Sequence, residues 1–92
     1  VEIEVEVRNL EELNEAIALK DVNRIMLDNF TPQEIEAALV LINKQFETEA
    51  SGGINFDTIE AYAATGVDFI SVGAVIHHAT SLDLSLKAVL HE

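Results

Sequence analysis

The stretches 46–53, FETEASGG, and 69–74, FISVGA, each run from an apolar, strand-like segment directly into a glycine turn. One helix-sized segment lies between them. Consecutive strand–glycine–helix units of this kind are typical of α/β barrels, which present backbone N–H groups to phosphate at the carboxyl ends of their strands. Either turn alone is better explained as a tight connection. The two turns in series favour a phosphate site at Ser51-Gly52-Gly53 and Val72-Gly73-Ala74.

Hydrophobic periodicity predicts four strands, at Val1–Val7, Arg24–Leu27, Phe46–Ala50 and Phe69–Val72. The first alternates apolar residues with glutamates, and the second ends in Asp28-Asn29. Near the C-terminus, Leu82, Leu84 and Leu86 alternate with polar residues, which predicts a further strand or an extended tail.

Capping residues predict three helices between these strands. The signals are Asn9 with Glu12, then Thr31 with Pro32 and Glu34, then Asn55 with a closing Gly66. The first two resemble capping boxes, the proline suits a first helical position, and glycine is the usual residue just past a helix end. Apolar residues recur at helical spacing after the first two caps.

The predicted order is therefore βαβαβαβ followed by an extended C-terminal tail, within a single α/β unit over residues 1–92. This alternation implies a parallel sheet with right-handed crossovers. Four such units make half of an eight-stranded barrel or a small open sheet.

Three glutamates, Glu2, Glu4 and Glu6, occupy one face of the first strand. This face cannot lie under a helix, because buried carboxylates need partners. In a barrel it would point into the lumen, where cations from other strands could meet it. In a solvated edge strand the same charges would guard against aggregation. The alternation alone does not distinguish these two interpretations.

Composition excludes several partners and sites. Seventeen acidic against five basic residues give a formal net charge of −12, which repels nucleic acid and anionic membranes, so we expect neither as a partner. The sequence has no cysteine, which excludes disulfides and cysteine metal sites and suits a reducing, cytoplasmic location. It opens on Val1 inside a strand pattern, which suggests a piece of a larger protein.

At this point a set of short motifs resembles the quinolinate phosphoribosyltransferases, also called carboxylating nicotinate-nucleotide pyrophosphorylases. The resemblance covers essentially the whole chain, in order and spacing, but only the C-terminal part of a full family member. The motifs are Glu4–Val7, Asn9–Leu13, Ile25–Asn29, Glu49–Ile54, Tyr62-Ala63, Thr65–Ala74, His77 and Leu82–Leu86.

The resemblance implies a pentosyl transfer in NAD biosynthesis. Quinolinate and phosphoribosyl pyrophosphate give nicotinate mononucleotide, pyrophosphate and carbon dioxide, with Mg²⁺. It implies an α/β barrel beside an N-terminal sandwich domain, in a homodimer or larger homo-oligomer. The N-terminal domain and the first barrel strands would be absent from this chain, as would the basic residues that bind the two substrates.

The resemblance also implies roles for individual residues. Glu6 and Asp28 take the catalytic positions that bind ribose and Mg²⁺. The phosphate-binding loops take Ser51, Gly52, Gly53, Gly73 and His77. Glu49 is either an acid that supports these ligands or a salt-bridge partner in the lumen.

Other interpretations of these residues stay open on the residues alone. Asp28 also suits a cap ahead of the second helix. His77 alone is more often a surface residue than a ligand, and His77, His78 and His91 do not form a metal signature. Where many relatives carry a hydroxyl, this chain has Ile76, so one phosphate hydrogen bond would be lost.

Two classes of function follow from the sequence. In the first, the chain is part of a phosphoribosyltransferase and is inactive alone, because a phosphate-handling enzyme needs lysines or arginines that these residues do not supply. In the second, it is a non-catalytic half-barrel that associates with itself. The open edges of such a sheet predict a weak dimer, which salt would promote by screening the charge of −12.

Overall fold

A computed structural model of the 92-residue chain describes residues 2–19 and 21–81. The predicted tail at Leu82–Leu86 lies outside the described residues. The strands are β1 Glu4–Val7, β2 Arg24–Asp28, β3 Glu47–Ser51, β4 Phe69–Val72 and β5 Val75–His78. The helices are α1 Leu10–Ile17, α2 Pro32–Ile42 and α3 Ile59–Ala63, and a short 3₁₀ turn spans Ala79–Ser81.

The five strands form one sheet in chain order, β1-β2-β3-β4-β5. The pairs β1–β2, β2–β3 and β3–β4 are parallel, and the sheet is open in the described part of the chain. This is the arrangement of a partial α/β barrel, so the predicted fold class is confirmed.

One face of the sheet carries the hydrophobic core. Side chains from β1 to β4 and from all three helices form a single buried cluster, which includes Val7, Leu13, Ile25, Leu27, Ile35, Ala50, Ile59 and Ile70. Because successive strand residues point to opposite faces, the residues between these apolar positions face away from the helices. Glu6, Met26 and Glu49 are paired across the strands on that second face.

The predicted helix starts are confirmed for α1 and α2. The Asn9 side chain accepts a hydrogen bond from the Glu12 N–H at 2.8 Å. Thr31 and Glu34 form a complete capping box, and Pro32 follows it as the first helical residue. These side chains satisfy N–H groups that have no partner within the helix, which fixes where each helix begins.

The third helix begins later than the sequence predicts. Asn55 Oδ1 accepts from the N–H groups of Asp57 at 2.8 Å and Thr58 at 3.2 Å, which opens a turn. The helix proper starts only at Ile59, so the N-cap position is Thr58 and not Asn55. Gly66, with φ +98°, follows the helix end as predicted.

The strand β5 is not predicted from the sequence. Val72 pairs with Val75, so Gly73-Ala74 is a two-residue loop in an antiparallel hairpin. The predicted order, which has only an extended tail after the fourth strand, therefore lacks this hairpin. Gly73 has φ +61°, and glycine at the first loop position is typical of turns that match the twist of paired strands.

We predict that Ile35→Ala destabilises the natural full-length protein by about 2–5 kcal/mol, because it leaves a cavity in the core. Ile35 is fully buried on α2, at 0% exposure. Val40→Ala on the same helix is the matched control, since Val40 is 78% exposed and should cost less than about 0.5 kcal/mol. Chemical unfolding of both variants measures the difference, and equal costs would contradict the described packing.

Candidate active site at the carboxyl edge of the sheet

The two predicted catalytic carboxylates lie at the same edge and on the same face of the sheet. Glu6 is the last residue but one of β1, and Asp28 is the last residue of β2. Asp28 pairs with Ser51, the last residue of β3. The register places all three side chains on the face away from the helices, at the carboxyl ends of neighbouring parallel strands.

One arginine links the two carboxylates. Arg8 follows directly after β1, and its Nη2 lies 3.3 Å from Glu6 Oε1. Its Nε lies 3.9 Å from Asp28 Oδ2. The Glu6 side chain is 46% exposed and that of Asp28 31%, so both remain accessible to a ligand.

The first glycine turn packs tightly against Asp28. A Cβ atom on Gly52 would lie 2.9 Å from Asp28 Oδ1 and 2.9 Å from the backbone N of Asn29, both too close for a real side chain. The Asn29 N–H donates to the Ser51 carbonyl at 2.8 Å. Gly52 has φ +88° and Gly53 φ +70°. The structure thus brings Ser51-Gly52-Gly53 together with Glu6 and Asp28.

The second glycine turn, at Gly73, makes fewer close contacts than the turn at Gly52. Gly73 follows β4, the neighbour of β3, and therefore lies at the same edge of the sheet. No described atom lies within 4 Å of the position that its Cβ would take. His77 of β5 pairs with Ile70 of β4, so the two side chains lie on the same face of the sheet. Glu6 lies on the opposite face. The structure does not bring His77 together with the carboxylates.

Glu49 is buried on the face away from the helices, at 1% exposure. Its Oε2 accepts from the Ser71 hydroxyl at 2.7 Å, and its Oε1 lies 3.5 Å from Arg24 Nη1. Glu49 thus forms an ion pair with Arg24 on this face. Its influence on the neighbouring ligands stays a prediction.

Arg24 is the residue that sequence reasoning missed on this face. Its guanidinium carbon lies 3.9 Å from the centre of the Phe69 ring, and its Nη2 lies 3.3 Å from Glu47 Oε1. The Phe69 ring in turn lies 4.5 Å from that of His78. The available signal was the alternation of β2, which puts Arg24 on the same face as Asp28.

The charge around Glu4 is unfavourable for its ionised form. Burial raises the pKa of the Glu4 carboxyl above its ordinary value, helped by the charge of Glu49 and by a hydrogen bond with it. Arg24 opposes this change in pKa. Glu4 remains largely exposed, so solvent weakens these effects.

A groove of about 810 Å³ lies at the other edge of the sheet. Lys44, Glu47 and Asp68 are among its lining residues, at the amino ends of the strands. Among the described residues that line it, three acids outnumber one lysine, which does not suit a phosphate. We therefore place the candidate site at the carboxyl edge.

Comparison with known proteins shows the family to which the chain belongs. The model of the family described as quinolinate phosphoribosyl transferase, C-terminal domain, matches residues 1–87. The chain belongs to this family.

Relatives in this family match nearly the whole chain. It is 48% identical over 98 residues to a probable carboxylating nicotinate-nucleotide pyrophosphorylase of Methanocaldococcus jannaschii, covering 98% of this chain and 34% of that protein. A Bacillus subtilis protein with the same description is 41% identical over 90 residues. This match covers 98% of this chain and 31% of that protein. The chain thus spans about a third of the length of these curated relatives.

Solved structures of the family share the fold. The nicotinate-nucleotide pyrophosphorylase of Francisella tularensis superimposes with a TM-score of 0.71 at 47% identity, over 82% of this chain and 28% of that one. The nicotinate-nucleotide pyrophosphorylase of Ehrlichia chaffeensis superimposes with a TM-score of 0.71 at 35% identity. The match covers 77% of this chain and 26% of that one. The partial barrel of this quinolinate phosphoribosyl transferase domain is therefore similar to one part of larger proteins.

Two further findings apply to residues 2–19 and 21–81 alone. None of their helices has the length and apolar character needed to cross a membrane. Within the same residues, no three or more histidine and acidic side chains are grouped so that they could hold a metal ion. A metal at this edge would therefore depend on the two carboxylates together with ligands from elsewhere.

We predict that Gly52→Ala lowers turnover of the natural full-length enzyme about 100-fold, because the added methyl group displaces Asp28 from its position. Gly53→Ala is the matched control. A Cβ at Gly53 would meet only Asn29 Oδ1, at 3.8 Å, so this variant adds a methyl group and backbone strain in the same turn without a clash with Asp28. Steady-state kinetics and a thermal melt separate the two effects. Equal losses of turnover would show that close packing against Asp28 is unimportant.

We also predict that Glu4→Gln stabilises the full-length protein at pH 7. The raised pKa means that the folded state binds the proton more tightly, so stability is lost as pH rises through the folded pKa of Glu4. The glutamine variant lacks this loss. Its advantage should disappear below the ordinary value of 4.5, where Glu4 is protonated in both states. Unfolding curves across this pH range test the sign, with Glu36→Gln on α2 as the control.

Proposed function

We propose that this chain is the C-terminal part of a phosphoribosyltransferase that converts quinolinate and phosphoribosyl pyrophosphate to nicotinate mononucleotide, pyrophosphate and carbon dioxide. The observation that carries the proposal is the arrangement of Glu6, Asp28 and the Ser51–Gly53 turn at one edge of the sheet. Membership of the family supports the same reaction. The chain would contribute to NAD biosynthesis as part of the whole enzyme.

The two carboxylates suit the charge that develops in this reaction. Cleavage of the bond between the anomeric carbon and pyrophosphate builds positive charge on the ribose ring. Glu6 and Asp28 are positioned at neighbouring strand ends and remain partly exposed, so they can accept hydrogen bonds from ribose hydroxyls and stabilise that charge.

The same residues fit Mg²⁺. This ion prefers hard oxygen ligands and is usually bound by one or two carboxylates together with waters and substrate phosphates. Glu6 and Asp28 are two such carboxylates, near enough to each other to share Arg8. When bound, the ion would neutralise charge on the departing pyrophosphate.

The glycine turns suit phosphate groups. Gly52 and Gly53 have positive φ and no side chains, so a phosphate can approach their backbone N–H groups closely. Ser51 adds a hydroxyl at the end of β3, and Gly73 opens a second turn at the neighbouring strand end. His77 reaches a phosphate here only if β5 pairs differently from the described hairpin, so we assign the ligands to Ser51, Gly52, Gly53 and Gly73.

The rest of the enzyme would supply what these residues lack. Two polyanionic substrates need several cations, whereas this chain carries a net charge of −12. We infer that an N-terminal domain, the remaining barrel strands and a second copy of the protein provide them, in a cytoplasmic homodimer or larger homo-oligomer. The acidic charge makes nucleic acid and anionic membranes unsuitable partners.

The open sheet favours one alternative function, a non-catalytic half-barrel that associates with itself. In the described part of the chain, β1 and β5 lie at the two edges, and Val75 and Ile76 of β5 are 56% and 53% exposed. Edges of this kind are normally paired or covered.

A direct assay separates these functions. The natural full-length protein is mixed with quinolinate, phosphoribosyl pyrophosphate and Mg²⁺, and nicotinate mononucleotide is quantified by chromatography. We expect product from the full-length protein and none from the isolated 92 residues. A full-length protein that forms no product would favour the half-barrel.

We predict that Glu6→Ala and Asp28→Ala each lower turnover of the full-length enzyme more than they weaken quinolinate binding. Both side chains interact most strongly as charge develops in the transition state. Glu36→Ala, which removes an exposed carboxylate from α2, is the control and should leave both quantities unchanged. Loss of quinolinate affinity at normal turnover would mean that the wrong substrate has been assigned to the altered residue.

A further inference from the structure

Arg8 lies between the carboxylates of Glu6 and Asp28. In the proposed function a divalent cation binds at this position. Its guanidinium lies 3.3 Å from Glu6 and 3.9 Å from Asp28. Its backbone is fixed separately, because the Arg8 N–H donates to Glu12 Oε1 at 2.7 Å, where Glu12 belongs to the start of α1. The side chain can therefore move while the strand end stays in place.

The other described cations are not available at this edge. Among residues 2–19 and 21–81 these are Arg24 and Lys44. The Arg24 side chain is 23% exposed and is held between Glu47, Glu49 and the Phe69 ring. Lys44 lines the groove at the opposite edge. Within the described residues, Arg8 alone offers positive charge beside the glycine turns.

Arg8 is also free to exchange partners. Its side chain is 69% exposed, and exposed ion pairs of this kind contribute little to stability. A guanidinium binds phosphate oxygens through two parallel hydrogen bonds, which makes a phosphate a strong competitor for it.

We propose that Arg8 is a substrate-binding residue that changes partners when the site fills. In the free protein it neutralises Glu6 and Asp28. When a divalent cation binds these carboxylates, the released guanidinium binds the pyrophosphate group of phosphoribosyl pyrophosphate. No covalent bond changes in this step, and each carboxylate keeps a cationic partner throughout. This inference rests on the proposed function, since it concerns the same site.

The first test measures metal binding without substrate. Mn²⁺ is titrated into the full-length protein and followed by electron paramagnetic resonance. We expect Arg8→Gln to bind Mn²⁺ about two- to fivefold more tightly, which is the range that loss of an exposed ion pair gives. Lys44→Gln removes the same charge at the opposite edge, so it controls for net charge and should leave the affinity unchanged. Thermal melts confirm that both variants fold.

The second test measures the phosphate contact. In the presence of Mn²⁺, Arg8→Gln should bind inorganic pyrophosphate about tenfold more weakly, since a charged hydrogen-bonding partner is lost. In steady-state kinetics KM for phosphoribosyl pyrophosphate should rise by a similar factor, whereas KM for quinolinate should not. Arg8→Lys retains the charge but not the paired hydrogen bonds. Its affinity for pyrophosphate should therefore lie between that of the wild-type protein and that of Arg8→Gln.

The outcomes distinguish this inference from the proposed function. Unchanged Mn²⁺ affinity in Arg8→Gln, or unchanged affinity for pyrophosphate, would overturn the exchange of partners by Arg8. A wild-type protein that forms no nicotinate mononucleotide would overturn the proposed function. The two binding measurements would still decide the role of Arg8 in that case, because neither depends on turnover.

Discussion

The alternation of side chains along four parallel strands is the constraint on which the rest of the structure depends. One face of the sheet is buried under three helices, with Ile25 and Ile70 among its fully covered residues. Every second residue must then face the other way, which fixes Glu6, Asp28 and Ser51 on a common face. A slip of one residue in β1, β2 or β3 would bury a carboxylate under a helix, and so the core also enforces the register of the site.

Burial of Glu49 adds a second constraint on that face. A carboxylate at 1% exposure is costly unless it is paired, and Arg24 from β2 and Ser71 from β4 both contact it. The three residues thereby connect three neighbouring strands. Glu49 precedes Ser51 by two residues, and Ser71 precedes Gly73 by two, so the network lies directly beneath both glycine turns.

Local signals made much of the fold and part of the site predictable. Caps such as Asn9 and Thr31 act within one turn of chain, and the strand patterns have a period of two, so both can be read from a few residues. The second and third strands were predicted to end at Leu27 and Ala50, and each ends one residue later, at Asp28 and Ser51. β5 was missed because the two-residue loop at Gly73 resembles any glycine turn until the following residues are seen to pair. Arg24 was missed because its partners are about 23 to 45 positions away, a separation that no local pattern encodes.

The same type of ion pair has two different roles in this sheet, and burial decides which one applies. Arg24 stacks on Phe69 and is largely shielded, so release of its contact with Glu49 would leave a buried charge without a partner cation. Arg8 contacts Glu6 and Asp28 on the same face, at the carboxyl ends of β1 and β2, where water reaches all three side chains. Solvent there weakens the pair and lowers the barrier to a change of partner. An acidic sheet face can thus be held rigid at its centre and still exchange cations at its carboxyl edge, where the proposed substrate phosphate and metal ion would bind.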